Sequence, residues 1–81
     1  MGLINTSLFS LNPTTDDEVK TTLKSVAKAL TKEGYQPVEQ IVGYLVTGDP
    51  IYITSKHEAR NQMRKLDRDK VLQILVKDYL K

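Results

Sequence analysis

Eighty-one residues allow one domain, and a chain of that length buries only about 60% of the surface its unfolded form exposes. The absence of cysteine and the single histidine, His57, exclude disulfides, thiolate metal sites and an imidazole metal site within one chain, so no metal or cofactor is expected and self-association is the remaining supplement to a thin core. The formal charge of +2 is uneven, with four lysines against six acids in residues 1–50 and eight basic residues against four acids in residues 51–81, a weak pointer to an acidic partner for the C-terminal half.

Met1-Gly2-Leu3-Ile4-Asn5 has no basic flank followed by a long apolar core, so it does not read as a secretory signal. No stretch approaches the roughly 18 apolar residues of a membrane span. A cytoplasmic protein without membrane insertion is therefore expected. Residues 1–13 lack a helical period and end in Asn12-Pro13; they read as a flexible arm, anchored if at all by Phe9 or Leu11. Residues 14–81 read as one helical domain.

The first helix opens at a capping box, Thr15 with Glu18, and Asp16 and Asp17 favour its positive end. Val19, Leu23, Val26, Ala27 and Leu30 recur at helical spacing, and Gly34 sits where a left-handed cap ends the helix. Lys20, Lys24, Lys28 and Lys32 fall four apart on an outer stripe, read as a solvated face rather than a phosphate site. Pro37 suits the first turn of a second helix that runs to about Val46, before Gly48-Asp49-Pro50. This segment is apolar nearly all round, the pattern of a helix covered on several sides. Gly43 within it costs about 1 kcal/mol relative to alanine, which suggests close approach of another backbone. Val38, Ile41, Val42, Gly43 and Leu45 are accordingly the candidate dimer interface.

Ile51-Tyr52-Ile53 is short and β-branched, and a short extended segment near 51–53, pairing with the arm, is one expectation. Ser55 with Glu58 spells a second capping box, opening a helix with Ala59, Met63 and Leu66 inward. A last helix follows Asp67-Arg68-Asp69, with Val71, Leu72, Leu75, Val76, Tyr79 and Leu80 as its apolar face. The fold class is all-α, a compact bundle of about four helices.

No phosphate loop, nucleophile elbow or histidine pair is present. His57-Glu58 are helix neighbours that point apart, and Asp49 is explained by turn chemistry, so no catalytic residue is assigned and no enzyme is expected. Lys56, Arg60, Arg64 and Arg68 are spaced by four, and arginine forks grip phosphate bidentately; Lys56, Arg60 and Arg64 are candidate contacts for a phosphate or an acidic partner. The same 56–68 segment supports a rival reading, a small helix-turn-helix-like nucleic-acid-binding module. Low domain charge and few base-reading side chains count against it. In the arm, Thr6, Ser7 and Ser10 offer hydroxyls in an uncharged setting. A phosphate there would add about −1.5 to −2 charge.

The run Gln40-Ile41-Val42-Gly43-Tyr44-Leu45-Val46-Thr47-Gly48-Asp49-Pro50, then Tyr52-Ile53, then Ala59 to Asp69 around Ala-Arg-Asn, resembles the core signature of the IreB family, short Firmicute regulatory proteins. Order, spacing and length agree from Met1-Gly2 to Leu80. The resemblance implies a non-enzymatic helical homodimer, phosphorylated by a transmembrane Ser/Thr kinase with extracellular PASTA repeats and reversed by its cognate phosphatase. It also implies a role in cell-envelope stress signalling and antibiotic-resistance control, exerted on a further, unnamed downstream protein. The family's phosphoacceptors are arm threonines: Thr6, three residues before Phe9, matches one, while Leu3 and Ile4 stand where the other would fall, leaving Ser7 as a substitute. The sequence also departs from the family pattern at Ile51 and at Thr54-Ser55.

Overall fold

A computed structural model describes residues 14–81; the arm of residues 1–13, its flexibility and its expected pairing lie outside the described residues. Helix α1 spans Asp16–Lys32. Thr15 Oγ1 accepts from the Glu18 N–H at 3.2 Å, with Asp16, Asp17 and Glu18 in the positive first turn, as the local pattern requires. At the other end Gly34 takes φ +87°. Its N–H reaches the Thr31 carbonyl at 3.0 Å and the Tyr35 N–H reaches the Leu30 carbonyl at 2.9 Å, the paired bonds of a glycine-closed helix. Val19, Val26, Ala29 and Leu30 are buried on the inner face.

Helix α2, Pro37–Thr47, starts with Pro37 in its first turn and stops at left-handed Gly48, whose N–H donates to the Tyr44 carbonyl at 2.7 Å. Only Tyr44 and Leu45 are buried along it, and Ile41 packs at the edge of the core. Gly43 does not admit another backbone: a Cβ there would collide with the ring of Tyr52 in the same chain. The chain then turns at Pro50–Tyr52, a 3₁₀ turn capped by Asp49 Oδ1 on the Ile51 N–H at 3.0 Å. The extended segment expected near 51–53 shrinks to Ile53 alone (φ −114°, ψ 127°), fully buried, because a proline at the start supplies no ladder N–H and the aspartate cap favours a turn. Among the described residues there is no strand.

The second capping box does not form. Ser55 makes no side-chain cap bond; Thr54 Oγ1 accepts from the Lys56 N–H instead. His57 and Glu58 take φ 58° and 59°, and helix α3 begins only at Ala59 and runs to Arg64. The reason lies in packing: Ala59 and Met63 are buried to 0% and 1% exposure, and Arg60 Nε donates to the Ile53 carbonyl at 3.0 Å. Those contacts fix where the helix starts and override a local capping preference. Helix α4, Arg68–Tyr79, is capped by Asp67, whose Oδ1 accepts from the Asp69 N–H at 3.0 Å. Arg68 reaches back to the Leu45 carbonyl at 3.0 Å, covering the exit of α2.

Val19, Val26, Leu30, Ile53, Met63 and Val71 are the largest fully buried side chains, and no charged side chain is buried among the described residues. α1 is the central helix: α2, α3 and α4 all lie against it. Of the apolar face expected on α4, only Val71 is buried, and Ile74, outside that expected face, packs against the core. Leu72, Leu75, Val76, Tyr79 and Leu80 are exposed, Tyr79 to 91%. α4 touches the body along one edge, so its greasy stripe is not the inner lining that periodicity suggests. No described helix is long and apolar enough to cross a membrane.

Candidate interaction surfaces

The residues assigned to a subunit interface from the sequence separate into two groups. Leu45 is buried in the protomer's own core, Gly43 faces the Tyr52 ring of the same chain, and Ile41 is half-buried at the core margin. Gln40 Nε2 holds Tyr52 in place through its carbonyl at 2.9 Å. Val38 and Val42 do lie outside, 73% and 51% exposed. Val46, which the sequence reading left off the candidate interface, extends them at the same four-residue spacing and is 75% exposed. The i, i+4, i+8 valine row was the available signal. It was obscured because the helix is apolar on its other sides too.

The second apolar face, on α4, was missed as a surface altogether. Leu72, Leu75, Val76 and Tyr79 follow the i, i+3, i+4, i+7 pattern of one helical stripe, and all are exposed. Two uncovered apolar rows on so short a chain are more than scattered surface hydrophobes.

The basic set is not one row. Lys56 lies in the short 3₁₀ turn Lys56–Glu58, separated from Arg60 and Arg64 by the left-handed pair His57 and Glu58. Arg60 Nε is committed to the Ile53 carbonyl and Arg68 to the Leu45 carbonyl. Lys56 and Arg64 are exposed. Helix α3 has six residues, too short to lie along a groove of duplex DNA as a recognition helix does, and two of the four spaced cations already carry structural bonds. His57 Nε2 stands 2.9 Å from Glu33 Oε2, an exposed contact that ties the turn to the end of α1 and contributes little to stability on its own.

Among the described residues, no group of three or more histidines and acids could hold a metal ion. Thr6 and Ser7 lie outside the described residues. The profile of a known protein family, described as IreB regulatory phosphoprotein, matches residues 4–81, nearly the whole chain.

Proposed function

The chain belongs to the IreB family of regulatory phosphoproteins, and from that premise we propose that it is a cytoplasmic, non-enzymatic switch protein, a homodimer that is phosphorylated on its N-terminal arm by a transmembrane Ser/Thr kinase and reset by the cognate phosphatase. Cell-envelope stress signalling and antibiotic-resistance control are its setting, and a downstream protein is its target. Thr6 is the phosphoacceptor, with Ser7 as the alternative. One observation carries the reading beyond the family match: two helical faces, Val38–Val42–Val46 and Leu72–Leu75–Val76–Tyr79, lie open to solvent on a protomer whose core is small.

Burial of apolar surface is worth roughly 25 cal/mol per Å², and a chain of this size has little other means of adding core. The two faces therefore supply the dimer contact and the contact with the downstream protein. Lys56 and Arg64, exposed and with side chains that make no bond among the described residues, take an acidic group on that protein or the arm phosphate.

The kinase part is tested by incubating the full chain with its cognate kinase and ATP, then mapping phosphate by mass spectrometry. Modification of Thr6 or Ser7 is expected, and an unmodified arm removes the switch. The dimer part is tested by sedimentation at micromolar concentration, where a monomer would remove it.

A further inference from the structure

Two features of the turn before α3 oppose each other. His57 and Glu58 stand at φ 58° and 59°, the left-handed region, where Cβ crowds the following carbonyl oxygen. Yet Ser55 and Glu58 spell a capping box that goes unused. Right-handed geometry at His57 and Glu58, with Ser55 moved from φ −81°, ψ −6° to the extended backbone of an N-cap, removes the crowding and adds a turn to α3.

The observed form is held by exposed contacts. Ser55, Lys56, His57 and Glu58 are all exposed, so their rearrangement takes nothing out of the core. His57 Nε2 stands 2.9 Å from Glu33 Oε2, Asn61 Nδ2 donates to Glu58 Oε1 at 2.9 Å, and the Lys56 N–H donates to Thr54 Oγ1 at 3.2 Å. Solvent competes for each of these groups, which keeps their contribution small. Ile53 and Ala59 are fully buried on either side. The Arg60 Nε bond to the Ile53 carbonyl ties those two ends together, so the change is confined to the turn between them.

The two forms present the cations differently. In the observed form the left-handed pair separates Lys56 from Arg60 and Arg64. With 56–64 a continuous helix, the three fall at i, i+4 and i+8, neighbours along one stripe. We propose that residues 55–58 are a two-state switch, left-handed in the free chain and helical when a phosphate group engages Lys56, Arg60 and Arg64 together. The anion selects the helical form because only that form brings Lys56 to it, and it shifts the equilibrium by no more than that difference in affinity. The anion's part in the switch rests on the reading of Lys56 and Arg64 as contacts for an acidic group; the second helical form rests on the backbone alone.

His57→Ala and His57→Gly test the switch as a pair. Both lose the Glu33 contact and carry the same charge, and they differ only in the Cβ that makes the left-handed form costly. The Glu58 Cα shift is read by NMR on the full chain, with inorganic phosphate added at constant ionic strength. In the parent, phosphate is expected to move that shift downfield, the helical direction. His57→Ala should show the downfield shift before phosphate is added and bind phosphate more tightly. His57→Gly should stay at the left-handed position and bind more weakly, in proportion to its smaller helical population. Equal phosphate affinity in the two variants, with the Glu58 shift unmoved, would overturn the switch and leave the cations standing as an anion contact. Phosphate binding by none of the three proteins would overturn both the switch and that contact.

Discussion

Gly34 and Gly43 answer to different constraints, and alanine at each separates them. Gly34 has a positive φ with open space around its missing Cβ, so Gly34→Ala is expected to cost about 1 kcal/mol from the left-handed backbone alone. Gly43 has ordinary helical geometry but faces the Tyr52 ring. Gly43→Ala gains helix propensity and still overpacks, with a net loss of about 1–3 kcal/mol. The two mechanisms part in a double-mutant cycle followed by urea denaturation. Tyr52→Ala should relieve most of the Gly43→Ala loss and leave the Gly34→Ala loss unchanged; equal, additive losses would mean the ring is not what glycine accommodates. At Gly43 the sequence suggests close approach of another backbone. The neighbour is instead the Tyr52 ring, and nothing local says that Tyr52, nine positions on, folds over that helix.

At the scale of elements, the two Ser/Thr-x-x-Glu patterns behaved differently. Thr15 caps α1 and Ser55 caps nothing. Thr15→Ala is therefore expected to lower stability by about 1 kcal/mol, whereas Ser55→Ala should stay within about 0.5 kcal/mol of the parent, as surface substitutions do; comparable losses by thermal denaturation would contradict the assignment. A capping box is a rule about one turn of backbone. At Ser55 the burial of Ala59 and Met63 and the Arg60 bond to Ile53 set the helix start, and the intervening residues adopt whatever backbone connects the pieces, left-handed at His57 and Glu58. The same logic broke the basic row, since four-residue spacing aligns side chains only along an uninterrupted helix.

For the whole molecule, the open faces on α2 and α4 make separable claims about association. Val42→Glu and Val76→Glu each place a charge at a position more than half exposed in the protomer, so neither should disturb the fold, and far-UV circular dichroism should be unchanged. If the α2 face joins the subunits, Val42→Glu shifts sedimentation to the monomer and Val76→Glu does not; if α4 does, the order reverses. A dimer surviving both would remove these faces from the interface. What the sequence determined by itself was local: the helical class, the Thr15 cap, the Gly34 and Gly48 stops and the Pro37 start all follow from backbone sterics and hydrogen-bond needs confined to a few neighbouring residues. Which apolar stripe became core and which stayed uncovered was decided only in three dimensions. Periodicity shows that a helix has a greasy side, but the finite surface of one central helix, α1, fixes how many such sides can be covered.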